Sequence, residues 1–325
     1  MPRIGVIGCG YWGKNLLRNF NDLGILQAVS DLNQDIAGKY AEQYGVPALT
    51  IEQLINNRDI DAIAIATPAE THAEIACNVL EKNKHVFVEK PIALDVGEAE
   101  QLNIKARESG LILMVGHLMR YHPAFIKLEQ LVSAGELGKL QHIYSHRLNL
   151  GKVRSEENIL WSFAPHDISM ILALVKQSPI SVSAIGSCYL NSGIADVTTT
   201  HLSFPDGVNA HVFVSWLHPY KEQKLVVVGE KSMAVFDDTL EWERKLQIYP
   251  HTIKRQEGMP VACKGDAKQV PIEQGEPLRH ELEHFVECIM NNAVCKTDAD
   301  EAIRVLKVLD ASERAMSESK LIQLS

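Results

Sequence analysis

Three glycines near the start of the chain have the spacing of a loop that holds phosphate. Gly8, Gly10 and Gly13 follow the apolar run Ile4-Gly5-Val6-Ile7 and precede a helical segment at 14–23. In such a turn the first glycine allows a sharp bend, the second lets a pyrophosphate approach, and the third lets helix and strand pack closely. Free N–H groups at the helix N-terminus then face the phosphate. The predicted cofactor-binding residues of this turn are Gly8, Gly10, Tyr11, Trp12 and Gly13.

An acidic residue follows at the distance that a dinucleotide site needs. A second strand, Gln27-Ala28-Val29-Ser30, ends in Asp31, which lies 21 residues after Gly10. A carboxylate at this point accepts a hydrogen bond from a ribose 2′-hydroxyl. It also repels a 2′-phosphate, and no arginine immediately follows it, so we expect NAD rather than NADP. A solvated aspartate beside a glycine-rich turn is the alternative.

A lysine lies where a later strand ends. The strand His85-Val86-Phe87-Val88 leads into Glu89-Lys90-Pro91. Because the proline restricts the backbone, the Lys90 ammonium can be aimed at a ligand, and an ordinary solvated lysine is the alternative. Thr67-Pro68 ends the preceding strand on the same side, and His72 lies in the first turn of the next helix. We include these residues and Glu89 in the cofactor site, although His72 fits a surface position equally well.

These residues need a parallel sheet to bring them together. Strands and helices alternate through the first half of the chain, which implies crossover connections and a parallel sheet. Ligands of such sheets bind at the carboxyl ends of the strands. Further strands are predicted at 60–66 and 111–115, and further helices at 34–44, 51–55, 71–81 and 96–109.

From about Arg120 the pattern changes to that of a second domain. A helix at 123–134 is followed by short strands with alternating hydrophobicity, and Phe204-Pro205-Asp206-Gly207-Val208 reads as a hairpin between two of them. Successive hairpins imply an antiparallel sheet. We predict domains at 1–119 and 120–325. The strands are predicted at 141–150, 180–188, 196–204, 208–216, 224–229 and 232–236, and the helices at 168–176, 277–290 and 299–317.

Composition indicates a globular protein. Of 325 residues, 46% are hydrophobic and 22% are charged, and the net charge of −9 argues against broad nucleic-acid binding. No apolar run approaches the ~20 residues needed to cross a bilayer. The first residues already form a predicted strand, and the six scattered cysteines lack C-x-x-C spacing. We therefore expect a cytoplasmic protein with reduced thiols and no membrane association.

Together these motifs resemble a known family. The glycine turn, Thr67-Pro68 with His72, Glu89-Lys90-Pro91 and Arg120-Tyr121-x-Pro123 are similar in order and spacing to the Gfo/Idh/MocA oxidoreductases, along the whole chain. The resemblance implies an α/β fold with a nicotinamide-binding Rossmann domain, a doubly wound parallel sheet, and then an α+β domain with an open, mostly antiparallel sheet. It places Lys90 beside nicotinamide and substrate. It also implies that a second subunit covers one face of the second sheet, as a homodimer or homotetramer.

The same resemblance points to a histidine in the second half. His166 falls on the histidine of the family's D-x-x-x-H motif, near the substrate hydroxyl, and Asp167 follows it. Ser162 stands where the family has the aspartate, which shifts base catalysis onto His166 with Lys90. An imidazole with a pKa of about 6.5 suits a general base at neutral pH. A helix-capping or core histidine is the alternative.

Within the family, the stretches 10–15, 116–123 and 161–169 are most similar to the branch that oxidises UDP-N-acetylamino sugars at C3. We expect UDP-N-acetylglucosamine as substrate, for surface glycan or lipid A assembly, with an aminotransferase acting next. Its uronic acid analogue is the runner-up, and free inositol or glucose is less favoured. Lys152 and Arg154 suit a diphosphate, or else a solvated loop, and Trp161 or Tyr121 suits a sugar or uracil ring. The predicted substrate-binding residues are Lys90, Arg120, Tyr121, Lys152, Arg154, Trp161, His166 and Asp167.

One motif suggests a metal instead. His280-Glu281-Leu282-Glu283-His284 fits the H-E-x-x-H pattern of zinc proteases, but no further histidine pattern supports it, and we expect no metal. His142 and His146 lie four residues apart on a strand, about 13 Å from each other, too far to share an ion.

The remaining choice is between a dehydrogenase and a nucleotide-binding regulator without turnover. The presence of both Lys90 and His166 favours the enzyme.

Overall fold

The computed structural model describes residues 1–151 and 153–324 and divides into two compact units. Unit 1 comprises Met1–Tyr121 and Glu276–Leu306, and unit 2 comprises His122–Gly275 and the residues from Lys307 onward. The predicted domains, 1–119 and 120–325, differ from this division because the segment 276–306 returns to unit 1. Its apolar residues explain the return, since the Phe285 ring packs edge-on against Phe87 with ring centroids 5.7 Å apart.

Unit 1 is built on a parallel five-stranded sheet in the order β2-β1-β3-β4-β5. Its strands are β1 (Ile4–Ile7), β2 (Leu26–Ser30), β3 (Ala62–Ile65), β4 (His85–Glu89) and β5 (Leu113–Gly116). Its helices are α1 (Gly13–Asp22), α2 (Gln34–Tyr44), α3 (Ile51–Asn56), α4 (His72–Glu81), α5 (Val96–Glu108) and, beyond unit 2, α8 (Pro277–Asn291). The Rossmann prediction is confirmed.

Local sequence explains why these helices begin where they do. The Asn33 side chain caps α2, Thr50 and Gln53 form a capping box on α3, and Asp95 caps α5. The strands β1, β3 and β5 are buried along their whole length, as expected for a sheet covered on both faces.

Unit 2 contains a nine-stranded sheet in the order β15-β12-β11-β10-β6-β9-β8-β7-β16. All neighbours are antiparallel except β6 and β9, which confirms the mostly antiparallel prediction. Its strands are β6 (Leu140–Leu148), β7 (Ser181–Ser187), β8 (Val197–Ser203), β9 (Asn209–Ser215), β10 (Glu222–Gly229), β11 (Met233–Asp237), β12 (Leu246–Tyr249), β15 (Lys268–Gln269) and β16 (Ile322–Gln323), beside a separate hairpin of β13 (Thr252–Gln256) and β14 (Met259–Cys263). Its helices are α6 (Pro123–Ser133) and α7 (Ile159–Val175), and α9 (Ala299–Glu318) contributes residues to both units.

The helix at the centre of unit 2 is longer than predicted. We expected it to begin at Ile168 after Pro165, but α7 begins at Ile159, where the Asn158 side chain accepts a hydrogen bond from Trp161 N–H at 3.2 Å. Pro165 lies inside the helix, which continues past it although a proline there lacks a backbone donor and crowds the carbonyl four residues earlier. His166 therefore lies in the middle of a helix and not at its start.

Candidate functional site

The glycine turn of unit 1 has the geometry of a phosphate cradle. Gly8 has φ +93°, and a Cβ at Gly13 would lie 1.9 Å from the Gly8 carbonyl oxygen, so the fold itself requires both glycines. A Cβ at Gly10 would meet no atom within 4 Å in the part of the chain that the structure describes. The open space beside Gly10, at the N-terminal end of α1, fits the pyrophosphate of a dinucleotide.

Asp31 lies at the end of β2 and is held beside this turn. Its Oδ2 accepts a hydrogen bond from Cys9 N–H at 2.7 Å, and its Oδ1 accepts one from Asn33 N–H at 2.8 Å. A carboxylate has about four acceptor positions, so two backbone bonds leave capacity for a ribose hydroxyl. The two bonds also orient the carboxylate toward the turn before any ligand binds.

His72 is not at the surface, so the surface alternative is wrong, and its place in the cofactor site stays a prediction. It is buried, with Nδ1 lying 2.7 Å from the Pro91 carbonyl oxygen and Nε2 lying 2.9 Å from the Thr67 carbonyl oxygen. Burial lowers the pKa of the ring, so the neutral form donates to one of these two carbonyls. The His72 ring thus connects the Thr67-Pro68 turn to the Lys90-Pro91 segment and acts as a positioning residue. Thr67 Oγ1 itself accepts a hydrogen bond from Thr71 Oγ1 at 2.7 Å.

Glu89 and Lys90 extend from the end of β4. The Trp12 indole N–H donates to the Glu89 carboxylate, which links the glycine turn to this strand end. Glu89 lies against Gly116 at the end of β5, where a Cβ would come within 2.9 Å of its Oε2. Burial raises the pKa of Glu89 to about 7, against the opposing effect of the Trp12 bond and of Lys90. Lys90, partly exposed, is the next residue.

The Arg120-Tyr121 segment is part of the interior of unit 1. Tyr121 is 2% exposed and its hydroxyl lies 3.1 Å from Thr297 Oγ1, while Arg120 is buried with its Nη1 3.5 Å from Glu301 Oε1. Glu301 also contacts His117 Nδ1 at 2.5 Å. The expected stacking of Tyr121 on a substrate ring is therefore wrong, because its ring packs in the core. Arg120 is buried, and its guanidinium pairs with the Glu301 carboxylate.

In unit 2, α7 presents the predicted histidine and its neighbour on different sides. His166 is partly exposed, and Ser162 lies one turn before it on the same face. Asp167 is buried and accepts hydrogen bonds from Arg147 Nε at 2.7 Å and from Ser145 Oγ at 2.6 Å. Asp167 is therefore an anchor of α7 to β6 rather than a direct substrate ligand. Sequence reasoning missed Arg147 and Ser145 because no local pattern marks them.

Two other predicted substrate residues of unit 2, Trp161 and Arg154, already contact carboxylates of the protein. Trp161 Nε1 donates to Glu313 Oε2 at 3.1 Å, which fixes the orientation of the indole. The Arg154 guanidinium pairs with Glu157 at 2.7 Å and its side chain is 41% exposed. Lys152 lies outside the residues that the structure describes.

The H-E-x-x-H segment forms part of α8. Glu281 is fully buried, and His284 Nε2 accepts a hydrogen bond from Lys296 N–H at 3.1 Å. Among residues 1–151 and 153–324, no three His, Cys, Asp or Glu side chains are placed to hold a metal ion. Over the same residues, every helix is too short or too polar to cross a membrane.

Two family models match the chain. The model for the oxidoreductase family with an NAD-binding Rossmann fold matches residues 2–117, and the model for the GFO/IDH/MocA C-terminal domain matches residues 125–235. The chain belongs to the Gfo/Idh/MocA oxidoreductase family. The predictions of the family and of NAD as cofactor are confirmed.

Individual relatives resemble the chain over nearly its whole length. UDP-N-acetylglucosamine 3-dehydrogenase from Acidithiobacillus ferrooxidans is 28% identical over 306 residues, which is 94% of each chain. The solved structure of that protein, GnnA, aligns with a TM-score of 0.87 and 26% identity over 98% of each chain. The scyllo-inositol 2-dehydrogenase (NAD(+)) from Bacillus subtilis is 26% identical over 326 residues, covering 93% of this chain and 91% of its own.

Proposed function

We propose that this chain uses NAD to oxidise the C3 hydroxyl of UDP-N-acetylglucosamine, giving the 3-keto sugar. The observation that supports this choice of substrate is the similarity to UDP-N-acetylglucosamine 3-dehydrogenase along nearly the whole of both chains. Membership of an oxidoreductase family, together with the presence of Lys90 after β4 and of His166 on α7, supports the reaction class. A downstream aminotransferase would consume the ketone, whose formation with NAD is unfavourable on its own.

Two side chains of this protein act on the C3 hydroxyl, one on its proton and one on its oxygen. His166 accepts the proton of the C3 hydroxyl, and Lys90 stabilises the negative charge that develops on the oxygen. When bound, NAD supplies the acceptor for the hydride at nicotinamide C4. Ser162 one turn before His166 provides a hydroxyl where the family has a carboxylate, so the imidazole works without a charged partner from that position.

The glycine turn and Asp31 bind the cofactor. The turn leaves room for the pyrophosphate beside Gly10, and Asp31 accepts from the adenosine ribose. The adjoining residues Thr67, Pro68 and Glu89 border the nicotinamide end. Of the cations proposed for the diphosphate, Arg154 would need to exchange Glu157 for a phosphate oxygen. A bidentate guanidinium and phosphate pair favours that exchange.

The reaction is tested by substrate and by variant. Purified protein with NAD is given UDP-N-acetylglucosamine, its uronic acid analogue, scyllo-inositol and glucose, each with and without a 3-aminotransferase, and the 3-amino product is detected by mass spectrometry. We expect product from UDP-N-acetylglucosamine and a higher yield in the coupled reaction. Turnover of only another substrate refutes the substrate proposal, and turnover of none with intact NAD binding favours the non-catalytic regulator.

The catalytic roles have matched controls. Lys90→Met and His166→Ala should each lower kcat by about 10²–10⁴-fold while NAD still binds. Lys82→Met, at the C-cap of α4, and His280→Ala, on α8, make the same changes outside the predicted site and should retain activity. A pH profile of kcat that loses its acidic limb in His166→Ala identifies the imidazole as the base. Near-normal turnover in both catalytic variants contradicts the assignment.

A second candidate is a free polyol, which the similarity to scyllo-inositol 2-dehydrogenase favours. A polyol has no diphosphate, so Arg154→Ala separates the two substrates. The change should raise the KM for a UDP-sugar and leave that for an inositol unchanged. Equal effects on both contradict a diphosphate contact.

We propose that the protein is a cytoplasmic homodimer or homotetramer formed through the sheet of unit 2. One sheet face bears partly exposed rings that contact one another: His142, Tyr144, His146, His211 and Phe213. Aromatic residues are enriched at protein interfaces. Light scattering should give twice or four times the chain mass, and Tyr144→Lys should shift it to one chain. A monomeric wild-type protein contradicts this part of the proposal.

A further inference from the structure

A buried ion pair joins the helix that carries His166 to the sheet of unit 2. Arg147 Nε donates to Asp167 Oδ2 at 2.7 Å and Arg147 Nη2 donates to Asp167 Oδ1 at 3.3 Å, so the guanidinium binds the carboxylate through two donors. Ser145 Oγ adds a third donor, to Oδ1 at 2.6 Å. The Arg147 and Asp167 side chains are only 8% and 2% exposed, which protects their attraction from screening by salt.

The sheet fixes the arginine of this pair independently of α7. Side chains two residues apart on a strand share a face, so Ser145 and Arg147 both lie on the buried face of β6. On the adjacent strand β10, Gln223 lies directly opposite Arg147. In the orientation that satisfies its neighbours, the Gln223 amide oxygen accepts from Arg147 Nη1 at 3.1 Å and its nitrogen donates to Asp238 Oδ2 at 3.2 Å. The guanidinium is therefore a fixed point to which α7 is attached.

The turn of α7 that carries His166 depends on this attachment more than an ordinary helical turn does. Pro165 lies directly before His166 and has no N–H, so it cannot donate to the carbonyl of Trp161 four residues earlier. The helical backbone therefore holds this turn less firmly than a turn without proline. Asp167 directly follows His166 and connects the same turn to β6. A shift of the Asp167 carboxylate would move the imidazole with it.

The two charges of the pair also balance each other beside the imidazole. A nearby carboxylate raises the pKa of a histidine, and a nearby guanidinium lowers it. While Arg147 and Asp167 are both charged, their effects on His166 oppose each other. Loss of either charge leaves the imidazole beside the other one, which changes how readily His166 takes up a proton.

We propose that Arg147 and Asp167 are positioning residues for His166, which hold its turn of α7 in place and balance the charge beside its imidazole. Both are buried, so they act through His166 and not on the substrate. The inference rests on the proposed function, in which His166 is the base. A pair with a merely structural role would stabilise unit 2 and leave the reaction at His166 unchanged.

The first test measures the proton affinity of His166 without substrate. In an NMR titration of the full-length protein with isotope-labelled histidine, the signal that disappears in His166→Ala belongs to His166. Asp167→Asn keeps the shape of the side chain and removes its charge, so the remaining charge of Arg147 should lower the pKa of His166 by about one unit. Glu222→Gln makes the same change on the other face of the sheet, where the carboxylate contacts His146 at 2.9 Å, and should leave the titration of His166 unchanged. An unchanged pKa of His166 in Asp167→Asn overturns the proposal.

The second test measures turnover in a protein that lacks the pair. Arg147→Met combined with Asp167→Leu replaces the ions by apolar side chains, a change that buried ion pairs often tolerate without loss of stability. With the melting temperature and NAD binding retained, kcat should fall about 10²-fold, because a displacement of about 1 Å has an effect of that size. The KM should change little. Wild-type kcat in a double variant that melts at the wild-type temperature overturns the proposal.

The outcomes separate this inference from the proposed function. Turnover that persists in His166→Ala contradicts the role of His166 as base. Turnover that falls in His166→Ala but not in the stable double variant contradicts only the positioning by Arg147 and Asp167. If the double variant unfolds, or if every substrate fails to react, the titration of His166 in Asp167→Asn decides.

Discussion

Glu89 should make the stability of unit 1 fall as the pH rises. Burial raises its pKa from 4.5 to about 7. The folded chain therefore holds a proton that the unfolded chain has released, and the sign of the linkage follows. The stabilisation is complete below about pH 4.5 and is lost as the pH rises through about 7. The full shift corresponds to about 3 kcal/mol, and partial exposure reduces it, so we expect a loss of about 1–2 kcal/mol between about pH 5 and pH 8.

Glu89→Gln removes this titration and leaves an amide oxygen to accept from Trp12. The free energy of unfolding is measured by urea denaturation without NAD, at about pH 5 and pH 8. Relative to wild type, the variant should gain about 1–2 kcal/mol more at the higher pH. Glu74→Gln, on the exposed face of α4, is the matched control and should leave the pH dependence unchanged. The same difference between variant and wild type at both pH values would refute the assigned burial of the Glu89 carboxylate.

Three further predictions test the cradle and the core. Gly10→Ala should keep the melting temperature but weaken NAD binding about 10-fold or more, whereas Gly13→Ala should destabilise unit 1, because its Cβ would meet the Gly8 oxygen at 1.9 Å. Thermal melts measure the stability of the two variants and calorimetric titration measures their NAD binding. Identical behaviour of the two variants argues against the phosphate cradle. Asp31→Asn should narrow the preference for NAD over NADP in a fluorescence titration, and equal binding of the two by wild type contradicts the role of Asp31. Glu281 is fully buried, and neither of its carboxylate oxygens has a hydrogen-bond partner among residues 1–151 and 153–324. Glu281→Leu should therefore raise the free energy of unfolding by about 1–3 kcal/mol, and a lower free energy of unfolding would mean that the carboxyl group is needed.

Secondary structure was predictable where periodicity and caps agree. The helices α2 and α5 begin at the predicted residues, and a side chain caps each of them. The hairpin around Gly207, which has φ +80°, also forms as expected. The strands β12 to β16 were not anticipated, because short and largely exposed segments such as Thr252–Gln256 lack a clear apolar alternation.

The sequence alone determined the parallel sheet, the glycine turn with Asp31, and the place of Lys90 after β4. These features depend on neighbours within a few residues, where backbone geometry and hydrophobic period set the outcome. His166 was marked by its resemblance to the family motif rather than by its surroundings.

Only the tertiary structure decided which polar side chains are partners of the fold. Tyr121 meets Thr297, Asp167 meets Arg147, and each pair joins residues that are far apart in the chain. A buried polar group must find a hydrogen-bond partner, but the sequence does not say which distant residue supplies it. For the same reason, the return of 276–306 to unit 1 depended on how the apolar faces pack.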